Sequence, residues 1–371
     1  MIGADSFSSS YSEAREKFLE AVAAGGGSAE SFQHPCSGPG DEELATDAAW
    51  FGPSDARRVL VLISGIHGVE GYCGSGAQVD WLRREEFKAL PTDTGVLMIH
   101  AINPHGFAWT RRVNEDNVDL NRNWVDFSKP LPPNPDYVEL AEILCPSEWT
   151  AEAQETSALK MDEWQALRGA QGHADFRQAV TGGQYTHGLG LFFGGDRPSW
   201  SRRTQTAIFQ KYLTEARRVG VIDYHTGLGP CGYAERLTLF APEDPKFKRA
   251  ATWFGAAVTS TKSGTAASKD ISGDNITGSA ALLPHAEFTG IGFEVGTAPT
   301  PQVLHALRAD AWLHAYGEPQ SEQGRQIKAQ MRAAFYCETD FWKGMVAGQS
   351  LIACRQALGG LSLQAGDSTI R

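Results

Sequence analysis

Val59-Leu60-Val61-Leu62-Ile63-Ser64-Gly65-Ile66-His67-Gly68-Val69-Glu70 begins as five apolar residues in a row and ends as a turn. A short apolar run that stops at glycine reads as a strand buried on both faces. The turn then presents His67 and Glu70 three residues apart, and imidazole and carboxylate are both zinc ligands. Residues 74–90 follow with Val79, Leu82 and Phe87 at helical spacing. Residues 95–102, Gly-Val-Leu-Met-Ile-His-Ala-Ile, read as a second buried strand, ending in an Asn103-Pro104-His105-Gly106 turn. Strand, helix, strand is a βαβ unit, which implies a parallel sheet whose active site lies off the carboxyl ends of its strands. The His67 turn is at that end.

Further along, residues 220–224 read as a third strand, running into His225, and residues 289–295 as another. That last strand holds Glu294 between Phe293 and Val295. Residues 236–241 are a shorter strand candidate. Helices are expected over 11–24, in 137–180 with a break near Pro146, from Ser199 to about 217, over 245–258, 301–316 and 321–358. Residues 29–57, rich in Pro and Gly breakers, read as irregular, and 259–284 as a long loop near the site. The last dozen residues should fray. The fold class expected is α/β: a mixed, largely parallel central sheet flanked by helices. The chain 1–371 reads as a single domain with a helical insertion at about 125–200 and a helical C-terminal segment at about 301–358.

Composition narrows the function. With 42% hydrophobic and 21% charged residues the chain is an ordinary folded protein. It has no run of about 18 apolar residues for a membrane span, and its start lacks the basic and apolar blocks of a signal peptide. A cytoplasmic location and no membrane partner follow as expectations. A net charge of -11 argues against nucleic acid, since nothing basic would displace counterions from phosphates. Six cysteines without a C-x-x-C pair read as buried free thiols, with Cys73 and Cys231 as candidates to line a pocket.

The chemistry gathers at the strand ends. Burying an unpaired carboxylate costs several kcal/mol, roughly, so Glu294 needs a partner or a job. Two histidines and a carboxylate around zinc leave a fourth position open, the catalytic arrangement. His67, Glu70 and His225 supply that set for one zinc ion, and Glu294 supplies a general base. H-x-x-E alone is a weak signal among ten histidines; the order and strand-end placement of all the parts together carry the reading. His34, His100, His173, His305 and His314 read as structural, and His285 stays open.

His67-x-x-Glu70, Asn103-Pro104-His105-Gly106, Asp119-Leu120-Asn121-Arg122-Asn123-Trp124, Asp223-Tyr224-His225 and Phe293-Glu294 resemble, in order, the signatures of the carboxypeptidase A-type zinc carboxypeptidases. The same signatures occur in the related aspartoacylase and succinylglutamate desuccinylase branch. The forms Arg111-Arg112-Val113-Asn114-Glu115-Asp116-Asn117-Val118-Asp119 and Tyr224-His225-Thr226-Gly227-Leu228-Gly229 look like a bacterial, carboxypeptidase-like branch. The likeness covers about residues 55–300. It implies a zinc carboxypeptidase-like fold and a set of roles. Asn121 and Arg122 would hold a substrate carboxylate. Arg111 or Arg112 would stabilise an oxyanion, with Arg112 preferred. Asp119 would bond the far nitrogen of a zinc-bound histidine. His187, in a Gly-rich aromatic stretch, is a further candidate for substrate contact.

Peptide-cleaving members carry a Tyr on a mobile loop before the catalytic Glu, and no Tyr lies between Tyr233 and Tyr316 here. The expected function is therefore a zinc-dependent hydrolase that cleaves an amide bond in a small carboxylate-bearing substrate, a short peptide or modified amino acid. It would use zinc-activated water with Glu294 as base. An N-acyl amino acid deacylase of aspartoacylase type and a non-catalytic zinc- or ligand-binding protein are the alternatives. A serine esterase lacks its G-x-S-x-G elbow. The sequence leaves open a homo-oligomer.

Overall fold

A computed structural model describes residues 3–363. Its eight strands are β1 (Ala29–Ser37), β2 (Glu43–Phe51), β3 (Arg58–Ile63), β4 (Thr94–His100), β5 (Arg218–Cys231), β6 (Ala234–Thr238), β7 (Val258–Ser260) and β8 (Glu287–Gly296). They form one sheet in the order β1-β2-β4-β3-β5-β8-β6-β7. The four central strands, β4, β3, β5 and β8, run parallel. The β1–β2, β2–β4 and β6–β8 pairs are antiparallel. The sheet is thus mixed and largely parallel, and helices cover it, as its apolar strands require.

The central strands are buried on both faces. Val59, Val61 and Ile63 pack in one layer with Ile208 and Phe209 of the helix Trp200–Tyr212 and with Leu213 just after it. Leu60 and Leu62 pack in the opposite layer with Phe18 of the helix Tyr11–Ala24 and with Val79 and Leu82 of the helix Gly71–Arg83. Ser199 accepts from the Arg202 backbone N–H and caps its helix as expected, but the helix stops at Tyr212, short of the expected 217. The stretch expected as a helical insertion holds three helices, Pro135–Leu144, Ala151–Leu167 and Gly172–Thr181. No helix among the described residues is long and apolar enough to cross a membrane.

Four expectations need correction. Residues 29–57 are not irregular: β1 and β2 form a hairpin that extends the sheet. β1 is the edge strand, so Pro35 is tolerated, and Ser31 and Gln33 are exposed while His34 is buried. The stretch 321–358 is two helices, Glu322–Phe335 and Asp340–Ser362. Thr339 caps the second by accepting from the Trp342 backbone N–H, a stop hidden inside helix-compatible sequence. Residues 259–284 hold β7 and a helix, Asn275–Leu282, capped by Asp274. The cysteines are only partly buried: Cys73 and Cys354 are enclosed, whereas Cys36 and Cys231 are exposed. Cys231 Sγ lies 3.9 Å from Cys337 Sγ, and neither Cys73 nor Cys231 lines the central cavity. Most of the stretch expected to fray, residues 364–371, is outside the described residues; the preceding helix holds to Ser362.

Candidate metal centre

The parallel strands deliver their polar residues to one place. β3 ends at Ile63, the chain turns through Gly65 at φ +73°, and His67 follows. A short turn, Gly68–Glu70, then feeds the helix Gly71–Arg83. Gly68 is forced by close approach: a Cβ there would lie 1.9 Å from the backbone carbon of Gly106. That contact seats the motif on the helix Pro104–Ala108, which Asn103 caps by accepting from the Gly106 N–H. The stretch expected as a turn at 103–106 is therefore the start of a short helix. The Gly68 and Val69 N–H groups donate to the carbonyls of Arg112 and Arg111, which stitches the arginine pair alongside. On the neighbouring strands His225 and Glu294 are register partners.

His67, Glu70 and His225 converge, their ligand atoms all within 4.8 Å of one another. Glu70 Oε1 is 3.0 Å from His67 Nδ1, and Oε2 is 2.8 Å from His225 Nδ1. The far nitrogens are held by carboxylates: His67 Nε2 is 3.1 Å from Asp119 Oδ1, and His225 Nε2 is 3.1 Å from Asp223 Oδ2. Burial pushes Asp119 up, yet Arg112 and His67 outweigh it and hold the carboxyl well below the usual range. An ionised carboxylate only accepts, so the His67 proton sits on Nε2 and the Nδ1 lone pair faces Glu70. The His67 Nδ1 atom is buried with no hydrogen-bond partner.

Two lone pairs aimed at a buried carboxylate repel it unless a positive charge stands between them. This donor set therefore fits a metal cation, and imidazole nitrogen with one carboxylate is chemistry suited to zinc. With only protons to supply that charge, burial would depress His225, but Asp223 and Glu70 raise it well above its ordinary value. Burial would raise Glu70, and the two imidazoles draw it well down.

Glu294 stands beside this triangle and 7% exposed. Burial, then the charge of Glu70, push its carboxyl up to about 8, against His225, the Leu228 N–H and Arg112. Its Oε1 accepts from the Leu228 backbone N–H at 3.0 Å. The Thr226 N–H donates to Glu70 Oε2 at 3.1 Å. The chain after His225 thus orients both acids with backbone donors.

The two adjacent arginines part company. Arg112 donates from Nε to Asp119 Oδ2 at 3.0 Å and from Nη1 to Glu70 Oε1 at 3.2 Å, and it lines the cavity. Arg111 turns away and pairs with Asp310 and Asn117, bordering a separate outer cavity with His105 and His314. Arg111 is thereby removed from the site, because the backbone bonds that hold residues 111 and 112 alongside the motif send successive side chains to opposite sides. His187 is also not brought in: it is half-buried, bonds Thr186 Oγ1 and packs against Tyr137.

Asn121 and Arg122 do line the cavity. Asn121 Nδ2 is 3.5 Å from His225 Nε2, while its Oδ1 accepts from the Asn275 N–H. Arg122 is 3% exposed, donates to the carbonyls of Asn121 and Thr181, and leaves Nε buried without a partner. It forms no ion pair among the described residues, and burial lowers its guanidinium. The cavity itself holds about 200 Å³. Its apolar walls include Phe176 and Val180 from the helix Gly172–Thr181, Phe192, and Val303 and Leu307 from the helix Thr300–Tyr316. Two supports are given no role by the sequence alone. Asp223 is one, although it precedes His225 by two on a strand and so shares its face. Asn275, which donates to Asp223 Oδ2 at 3.0 Å, had no sequence signal.

A family profile described as a protein of unknown function (DUF2817) matches residues 7–349. The chain belongs to this family. No curated protein gives a significant match to this DUF2817 chain. Among solved structures it is similar to a carboxypeptidase A from Helicoverpa armigera, at 12% identity and a TM-score of 0.47, covering 88% of this chain and 74% of that one. It is similar to a succinylglutamate desuccinylase from Chromobacterium violaceum at 12% identity and a TM-score of 0.37, covering 86% and 73%. A murein-tripeptide amidase from Escherichia coli O157 gives 14% and 0.35, covering 79% and 93%. At such identities the reading of the site rests on its own geometry.

Proposed function

We propose that this protein is a zinc-dependent hydrolase that cleaves an amide bond in a small substrate bearing a carboxylate. One observation carries the reading: His67, Glu70 and His225 point donor atoms at a common centre, with the uncommitted acid Glu294 beside them. His67, Glu70 and His225 would hold a single zinc ion, which supplies Lewis acidity towards a carbonyl and towards water.

The chain's own groups do the rest. Arg122, buried and without an ionic partner, receives the substrate carboxylate, since a guanidinium fork matches that group. Asn121 lies beside it and helps fix the orientation. Glu294 keeps Oε1 anchored on the Leu228 N–H, which leaves Oε2 to take a proton from the attacking water and pass it to the leaving nitrogen. Arg112 faces the carbonyl oxygen as negative charge develops there. Asp119 and Asp223 keep both imidazoles in the tautomer that presents Nδ1. The apolar walls exclude water and fit a compact organic group.

Replacing Glu294 with Gln keeps the shape and removes the base. In zinc-loaded protein, turnover of the best substrate in a panel of dipeptides and N-acyl amino acids should fall by about 100- to 10,000-fold, with the metal retained. Unchanged turnover in Glu294→Gln would sink the mechanism. The panel also decides between a peptidase and an N-acyl deacylase.

A further inference from the structure

Two cations stand at the mouth of the cavity without an ion-pair partner among the described residues. Arg177 comes from the helix Gly172–Thr181, and Lys269 from the loop that leads into the helix Asn275–Leu282. Both line the cavity that contains Glu294. The segments that carry them are clasped together. Arg177 Nη2 donates to the Ala267 carbonyl at 3.2 Å, and Gln178 Nε2 to the Asp270 carbonyl at 3.3 Å. Arg177 is therefore bonded to backbone two residues from Lys269.

Neither cation forms an ion pair among the described residues, in a chain whose net charge is -11. The adjacent acid, Asp270, is engaged elsewhere, with Lys262 Nζ at 2.7 Å. Deeper in the same cavity Arg122 is likewise without an ionic partner and is buried. One cation at the bottom suffices for one carboxylate, so the two at the mouth are surplus for a monoanionic substrate. Cations that line one cavity with apolar walls attract an anion more strongly than they would on open surface.

We propose that the substrate is a dianion: one carboxylate at Arg122, an apolar middle against the walls, and a second acidic group held between Arg177 and Lys269. The proposal rests on the reading of this cavity as the hydrolase site and adds its charge preference. Arg177 and Lys269 are then specificity residues that touch the substrate away from the reacting bond.

Binding separates this from the hydrolase reading. The probes are glutaryl-phenylalanine and its counterpart with the distal carboxylate replaced by an amide. They are titrated calorimetrically into zinc-loaded Glu294→Gln protein, which does not turn them over. The dianion should bind about 5- to 20-fold tighter, and added salt should shrink the gap. In the Arg177→Gln/Lys269→Gln double variant the gap should fall within about twofold. The Arg122→Gln change should weaken both ligands alike. Equal binding of the two probes overturns the proposal, as does a preference that survives the double variant, or no binding of either probe. None of these outcomes touches the hydrolase reading, which stands or falls on turnover by the parent protein and its loss in Glu294→Gln.

Discussion

The floor and the mouth of the cavity are built on opposite principles. The floor is strand ends. His67, Glu70, Asp119, Asp223, His225 and Glu294 are all buried, and each is fixed by a carboxylate, an imidazole, an amide or a backbone N–H. The mouth is the helix Gly172–Thr181 clasped to a loop by two side-chain bonds to carbonyls, with its charged groups half or fully exposed. On the proposed function, the difference separates chemistry from selectivity. A reacting geometry must be held tightly, and rigid elements do that. On the same reading, substrate preference falls to residues that can change without disturbing the sheet.

If that contrast is right, perturbing the floor costs far more than perturbing the mouth. The largest expected effect is acid lability under the floor. His100 ends β4, stacks on Phe18 and bonds Ser75, and burial lowers it to about 4. Its unfolded value is about 6.5, so the unfolded chain takes up the proton first as pH falls. The stability present above pH 6.5 is then lost as pH drops towards 4, by about 3 kcal/mol from this group. Urea unfolding across that range should show the slope, and His100→Gln should flatten it. A slope unchanged in the variant would assign the lability elsewhere.

Next comes Asp223→Asn, which leaves volume intact but no longer fixes the His225 tautomer. Metal affinity, measured by competition with a chelator, should fall about 10- to 100-fold. An affinity within twofold of the parent would mean that Asp223 does not orient the ligand. The smallest effect is expected in the loop that forms part of the mouth. Gly264 has φ +71° with nothing within 4 Å of where a Cβ would stand. Gly264→Ala should cost only about 1 kcal/mol of backbone strain and leave metal affinity unchanged. A larger loss, or altered metal binding, would erase the distinction between floor and mouth.

The same distinction governs what could be read in advance. The floor was legible because buried parallel strands are continuous apolar runs, and a polar residue at their ends has few reasons to be there. His67, Glu70, His225 and Glu294 follow from that logic, and Asp119 from its motif. Asp223 stands in its motif as well, but its support of His225 emerges only from the shared strand face. The hairpin of β1 and β2 was not legible, because an edge strand with one face outward lacks an apolar run and holds a proline. The break before Asp340 was hidden for a related reason: a single capping Thr339 ends nothing until the next helix packs.

The sequence by itself determined the α/β class, the order of the central strands along the chain, and which side chains could serve as ligands and base. Periodicity and burial fix those things locally. Only the tertiary structure decided that Arg112 faces the centre while Arg111 reaches Asp310, and that His187 stays outside. It alone brought Asn275 onto Asp223, and Arg177 and Lys269 to one rim. Those outcomes depend on contacts between segments far apart in the chain. No local pattern encodes which side of a packed loop a side chain will take.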